Sequence, residues 1–407
     1  MIKKIRKEDL ELGMFIHDLN CGWMDHVFFR RRFLLKKEED LQKILESGID
    51  EVDIDTDRGL DAPGPSRDAF DEELRRRMQD SAPRFAGEVP QTPHRQELEV
   101  ARKIQSEATQ VVTHVLNDVR LGKQIEVERL SPVVGQITES ILRNQGTLVS
   151  LCRIKERDTY TFQHSVSVCT LLVTFCRYMG MSREVIQEAG MGGMLHDIGK
   201  MRVPDHILNK PGKLTDPEFE TMKGHVNLGL EILGRTPGIT DTALLISGEH
   251  HERWGGSGYP NGKKGGEISQ LGRMAAIVDV YDAITSNRVY HTGMEPPVAL
   301  QKLFEWSNHH LDEELVQHFI QAIGIYPVGS LVRLASDRLA VVVEQGAAGL
   351  LYPVVRLVYD IKRRSRLEPR DEDLSSAESG GDRILGTESP EAWHVNPFDF
   401  LTLDLQP

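Results

Sequence analysis

The sequence predicts a mainly α protein with a small α/β module at its N-terminus and a short β element near its C-terminus. Three observations carry this reading. From about residue 96 to 325, apolar residues recur at helical spacing in segments separated by glycine and proline. Residues 1–60 mix β-rich runs with one short amphipathic stretch. Residues 326–360 switch to a valine-rich alternation of period two.

In the N-terminal module, "GMFIHDL" and "HVFFRRRFLL" read as strands, "KEEDLQKILESG" as a helix closed by Gly48, and "IDEVDID" as a further strand. Residues 61–95 are rich in proline, charge and small polar residues and read as a linker. A helical connector follows over 96–151, with Val111, Val112, Val115 and Leu116 at helical spacing. Such a stripe packs on the chain's own helices or joins two copies as a homodimer, and the pattern leaves both open. Residues 152–325 form the main helical domain. Its most apolar stretch, "SVSVCTLLVTFC" at 165–176, is too short to span a bilayer and reads as a buried helix. The β element at 326–360 leads into "RRSRLEPRDEDLSSAESGGDR" at 363–383, which is poor in apolar residues and reads as the start of a flexible tail to 407.

The formal net charge of -13 argues against non-specific nucleic-acid binding, which needs a basic surface. It leaves room for a small phosphate-bearing ligand held by a few cations. Cys21, Cys152, Cys169 and Cys176 show neither CxxC spacing nor scaffold density, so a reducing compartment is expected. "MIKKIRKEDLELGMF" has no apolar run behind its basic start, so no signal peptide is expected. The expected location is cytoplasmic, away from the membrane.

Chemistry concentrates between residues 164 and 282. "HDIGK" places His196, Asp197 and Lys200 at the end of a helical pattern. Upstream, His164 lies in the apolar helix. "TDPEFETMKGHVNLGLEIL" opens with a Thr215/Glu218 capping box and carries His225 on its apolar stripe. "GEHH" supplies His250 and His251, and "DVYD" supplies Asp279 and Asp282 one turn apart. One histidine on an apolar face is more often a hydrogen-bonded core residue than a ligand. Five histidines and two aspartates facing inward from five segments are harder to satisfy that way, and shared metal ions would offset their desolvation. Imidazole and carboxylate without thiolate suit iron, manganese, nickel, cobalt or zinc, and a metal pair is the usual device for phosphoester hydrolysis. Asp197 can bridge two ions because its oxygens carry separate lone pairs. Lys200 can hold a phosphate oxygen or simply complement a helix end. His206, His309, His310 and His318 sit in charged or amphipathic surroundings and read as ordinary residues.

From about Asp158 to Tyr290 the ordered set "YTFQHSVSV", "HDIGK", "HILNKPGKLTDPEF", "KGHVNLG", "HHERWGGSGYP" and "DVYDAITSNRVY" resembles the HD-GYP subgroup of HD-domain phosphohydrolases. The N-terminal region is similar to a small domain of unknown function that often precedes them. The resemblance implies an HD-type all-helical catalytic bundle at 152–325. It also implies hydrolysis of cyclic di-GMP to pGpG, and onward to GMP. The implied cofactor is two divalent transition-metal ions, iron or manganese first, with nickel, cobalt and zinc compatible. The implied ligands are His164, His196, Asp197, His225, His250, His251 and Asp279, with Asp197 bridging. Lys200 and Arg288 match phosphate contacts, Asp282 lies near the guanine-binding region, and Gly258 and Tyr259 belong to the substrate-side loop. The loop also implies protein partners such as diguanylate cyclases. Three positions depart from the family pattern. Tyr160 stands where some members have a third-metal glutamate, so a binuclear site is expected. Gly255 stands where aspartate is usual, which removes a carboxylate and is expected to loosen the loop. His291 stands where lysine or arginine often follows "RVY". Two other readings stay open: a cyclic di-GMP receptor without turnover, and a phosphohydrolase acting on another cyclic dinucleotide.

Overall fold

The computed structural model describes residues 2–19, 32–46, 49, 51–62, 92–152, 160–286, 293–307, 309–346, 351–376 and 381–401. The chain divides into two compact units, Met1–Ser81 and Ala82–Pro407.

In the first unit, strands β1 (Ile2–Arg6), β2 (Phe15–Asp18), β3 (Phe33–Leu34) and β4 (Glu51–Asp55) form an antiparallel sheet in the order β1-β4-β2-β3. Helix α1 (Glu38–Glu46) starts on three acids, which suit its positive end, and buries Ile44 with Ile16, Leu35, Val52 and Ile54. Strand β1 is absent from the sequence expectations because two lysines interrupt its five residues. Lys4 is nonetheless buried, 3.6 Å from Asp53, its cross-strand neighbour in the register. Gly48, the expected closing residue of α1, lies outside the described residues.

The second unit is helical over most of its length. Helices α2 (His94–Arg120) and α3 (Val127–Arg143) carry the connector, followed by α4 (Gln145–Leu151). Leu98, Ala101, Ile104, Ala108, Val112 and Val119 form the buried stripe of α2. That stripe packs against the chain's own helices α3, α4 and α5 (Tyr160–Tyr178). Helix α6 (Arg183–Leu195) is capped by Ser182 and lies closely on α5: a Cβ on Gly193 would sit 3.2 Å from Cys169 Cα. A 3₁₀ turn (Ile198–Arg202) and a short helix α7 (Asp205–Leu208) lead to α8 (Asp216–Lys223), whose Thr215/Glu218 capping box is present. The single helix expected through His225 is two. The interruption is the single residue Gly224, which keeps right-handed helical dihedrals (φ -57°, ψ -18°), and α9 (His225–Gly234) begins on the histidine itself. Helices α10 (Asp241–Glu249), α11 (Gln270–Thr285), α12 (Pro296–Trp306) and α13 (Glu313–Ile323) complete the bundle. No helix among the described residues is long and apolar enough to cross a membrane.

The C-terminal β element is larger than the sequence suggests. Strands β5 (Leu331–Leu334), β6 (Arg338–Glu344), β7 (Val354–Asp360), β8 (Ser365–Asp373) and β9 (Ile384–Thr387) form an antiparallel sheet in the order β8-β7-β6-β5-β9. Short helices α14 (Pro390–Trp393) and α15 (Pro397–Leu401) follow, and Leu401 joins the core on one face of the sheet. The segment expected to be flexible is therefore in part an ordered edge strand. β8 lacks an apolar alternation because nearly all of it is exposed, so its sequence carries charges on both faces. Backbone pairing with β7 and a two-point Arg356–Asp371 ion pair (2.5 and 2.8 Å) hold it instead.

Candidate metal centre

Five segments bring the expected ligands together. α5 presents His164, and the end of α6 presents His196 and then Asp197. The first turn of α9 presents His225, the end of α10 His250 and His251, and the middle of α11 Asp279. All seven are buried. The rings pack edge to face or tilted, with centroids 4.9 Å apart for His196–His250 and 4.1 Å for His250–His251.

Each ring is oriented from behind. The Nδ1 atoms of His196, His225 and His250 lie 2.7, 2.7 and 2.8 Å from the carbonyl oxygens of Gly193, Met222 and Ser247. A carbonyl only accepts, so each Nδ1 carries the proton and each Nε2 presents a lone pair. Those three Nε2 atoms, His251 Nδ1 and Asp197 Oδ1 are buried without a hydrogen-bond partner. The three Nε2 lone pairs therefore face the acceptor Asp197 Oδ1 in a buried interior, an arrangement that costs free energy unless a cation sits among them. His164 is fixed differently: its Nδ1 lies 2.6 Å from Asp282 Oδ2, the carboxylate–histidine arrangement that orients metal-binding imidazoles. Asp282, expected near the guanine-binding region, is buried and bonded to the back of the His164 ring.

The donors sort around the two oxygens of Asp197. Oδ1 is 3.3 Å from His225 Nε2 and 3.7 Å from His250 Nε2. Oδ2 is 3.3 Å from His196 Nε2 and 3.6 Å from His164 Nε2. His251 joins the Oδ1 group, and all donors within each group lie within 4.8 Å of one another. Asp279 spans both sides, with Oδ1 3.1 Å from His164 Nε2 and Oδ2 4.0 Å from His251 Nδ1. Two donors each about 2.1 Å from one ion stand roughly 3.0–3.4 Å apart at ordinary coordination angles. The 3.1, 3.3 and 3.3 Å separations fall in that range and the 3.6, 3.7 and 4.0 Å ones lie up to about 0.6 Å beyond it, so small shifts of these side chains would let the residues hold two divalent ions sharing Asp197.

Charge balance agrees. Burial alone would raise the Asp197 carboxyl, but Lys200 and His196 beside it outweigh burial and hold it well below its ordinary range. Lys200 Nζ is 2.6 Å from Asp197 Oδ2 and remains partly exposed, at the edge of the centre. Burial pushes His250 down to about 4, and burial with the neighbouring imidazoles pushes His251 well down, leaving both rings neutral. His196 shows the opposite balance: burial lowers it, yet Asp197 and Asp279 raise it overall, a local demand for positive charge that a divalent ion would meet.

The "HHERWGGSGYP" loop leaves α10 and folds back over the histidines. Tyr259 N donates to His251 O at 3.2 Å, and its ring lies on the His251 ring with centroids 4.6 Å apart. The Tyr259–Pro260 peptide is cis. A Cβ on Gly258 would lie 2.3 Å from Arg253 N, so only glycine lets the two backbone strands approach this closely. Gly255, expected to loosen the loop, is tied down through its backbone. Gly255 N and Trp254 N donate to His309 O and His310 O at 2.9 and 3.0 Å, and a Cβ at 255 would lie 2.7 Å from His309 O. Glycine there docks the loop against the turn between α12 and α13. Arg288 and His291 lie outside the described residues, as does the side chain of Tyr160. Two residues beyond the expected set shape the loop, Glu249 and Glu252, which flank the paired histidines and bond to the loop's far end. Their signal in the sequence was the "EHHE" bracket itself.

A domain of unknown function, DUF3391, matches residues 2–130, and an HD domain matches residues 152–315. A cyclic di-GMP phosphodiesterase of Pseudomonas aeruginosa is 40% identical over 98% of this chain and 95% of its own length. A cyclic di-GMP phosphodiesterase of Thermotoga maritima is 39% identical over 40% of this chain and 45% of that one. A 3'3'-cGAMP-specific phosphodiesterase of Vibrio cholerae is 33% identical over 41% of this chain and 32% of that one. With its Asp197-centred histidine cluster, its HD domain and a near full-length relative, the chain belongs to the HD-GYP family of HD-domain phosphodiesterases.

Proposed function

We propose that the chain hydrolyses cyclic di-GMP to linear pGpG at a binuclear metal centre divided by Asp197. The observation that supports it is the set of buried, partnerless donor atoms sorted around the two Asp197 oxygens. His164 and His196 would hold one ion beside Oδ2, and His225, His250 and His251 the other beside Oδ1, with Asp279 reaching both. The imidazole and carboxylate donors suit iron, manganese, nickel, cobalt or zinc, and the family resemblance puts iron or manganese first. Two such ions, when bound, polarise a phosphoryl oxygen and acidify water.

The chain's own groups do the rest. Asp282 fixes the tautomer and direction of His164. Lys200, a partly exposed ammonium at the rim, is placed to meet a non-bridging phosphate oxygen, a role proposed for Arg288 as well. Tyr259, seated on His251, and the close-packed Gly258 backbone form the substrate-side wall. The buried walls exclude water and strengthen every charge interaction inside.

The test is turnover of cyclic di-GMP by protein loaded anaerobically with iron or manganese, with 3'3'-cGAMP as the competing substrate. The proposal expects pGpG as first product, a preference for cyclic di-GMP, and no turnover by His196→Ala. Tight binding without turnover would establish the receptor reading instead, and a preference for the mixed dinucleotide would revise the substrate.

A further inference from the structure

Residues 249–252 read "EHHE", and the two acids stand outside both groups of metal-binding donors. Each is buried and each is fully engaged with the loop that follows. Glu252 Oε1 accepts the Asn261 N–H at 2.8 Å, and Oε2 accepts the Lys263 N–H at 3.0 Å. Glu249 Oε1 accepts from Lys263 Nζ at 2.6 Å, and Oε2 accepts the Ser269 N–H at 2.8 Å, just before α11 begins. The loop thus departs from Glu252, reaches Tyr259, and is drawn back to Glu252 two residues later. Gly258 packs against Glu252 itself, with its Cβ position 2.5 Å from Glu252 Cα.

From this geometry we infer that Glu252, seconded by Glu249, is a positioning residue: its carboxylate clamps the loop exit and thereby seats Tyr259 on the His251 ring, shaping the substrate wall without holding metal. The inference deepens the phosphodiesterase reading and rests on it for the substrate. The physical reason is that one buried carboxylate satisfies two loop N–H donors with charge-assisted bonds, fixing the exit of a loop whose Tyr259 N–H also donates to His251 O. His250 keeps its own support, the bond from Nδ1 to Ser247 O, so the clamp and the metal donors are separable.

The test compares wild type, Glu252→Ala and Glu252→Gln by metal content, amide exchange, and steady-state kinetics. Substrates are cyclic di-GMP and bis(4-nitrophenyl) phosphate, a small diester that needs no shaped wall. In Glu252→Ala, metal per chain should match wild type and exchange over 257–263 should quicken by about tenfold or more. KM for cyclic di-GMP should rise on the order of tenfold with kcat little changed, while the small diester is cleaved at the wild-type rate. Glu252→Gln keeps one acceptor and should fall between; it also serves if the alanine variant folds poorly. Loss of metal with unchanged loop exchange would overturn the inference, as would a loosened loop with an unchanged KM. If wild type leaves cyclic di-GMP intact, the substrate reading fails, while the exchange and metal measurements still decide the clamp: quickened exchange with metal retained supports it, and any other result refutes it.

Discussion

Substituting Gly199 by alanine should separate the two halves of the metal centre. Gly199 lies in the 3₁₀ turn between Asp197 and Lys200, pressed against the first turn of α9. A Cβ there would stand 1.9 Å from His225 O and 2.5 Å from Gly229 N, whereas real Cβ atoms stay beyond 3.0 Å. Both obstructing atoms are backbone, so no rotamer relieves the clash and the segments must part by about 1 Å. Metal–ligand bond lengths hold within about 0.2 Å of their usual values, so a shift of that size moves a donor out of bonding range. The Asp197–His225 pair, now 3.3 Å apart, would be pulled out of register for a shared ion. The expected cost is about 1–3 kcal/mol in stability from overpacking. Affinity for the ion on the Oδ1 side should fall roughly 10–100-fold, as for loss of a supporting contact. Urea denaturation and chelator competition measure the two effects. Gly234→Ala is the control: it ends α9, the helix that Gly199 presses on, with nothing beyond its chain neighbours and its own helix backbone within 4 Å of its Cβ position, and should be neutral or stabilise by about 0.5–1 kcal/mol. Wild-type stability and metal affinity in Gly199→Ala would refute this account of the "HDIGK" glycine.

Other outcomes follow from the same geometry. Asp197→Ala should lose both ions, while His164→Ala and His251→Ala each lose one, read by mass spectrometry of metal per chain; equal losses in all three would contradict the division of donors. Gly255→Asp, which restores the residue usual in the family, should cost about 1–3 kcal/mol here, because its Cβ would meet His309 O at 2.7 Å; an unchanged melting temperature would show that the turn yields freely. Metal-free protein should lose stability as pH falls below 6.5. The folded chain holds His250 near 4, so the unfolded chain binds the extra proton and the native state is disfavoured progressively down to about pH 4, by on the order of 3 kcal/mol from this group. Denaturant titrations of metal-free wild type and His250→Gln check it, and equal slopes against pH would exclude His250 as the cause.

What the sequence revealed depended on whether a feature was written in residue type or in backbone. The histidines and aspartates were legible because few interiors place that many ionisable groups on inward faces. Their division between Asp197 Oδ1 and Oδ2 was not, since it depends on how five segments meet. Asp279 and Asp282 illustrate the limit: one turn apart on α11, they share a face, and spacing alone cannot tell the carboxylate that faces the histidine cluster from the one bonded to the back of His164. Gly255 read as a missing carboxylate, yet its meaning lies in a carbonyl 54 residues away in sequence, at His309. Strand β8 was hidden because an exposed edge strand has no apolar side to alternate with. The interruption at Gly224 was hidden because an apolar stripe continues across it.

Anomalous diffraction from crystals of the manganese- or iron-loaded protein tests the central claim most directly. The account predicts two peaks about 3.5–4 Å apart, one beside each oxygen of Asp197. A single peak, or none within coordination distance of Asp197, would contradict it.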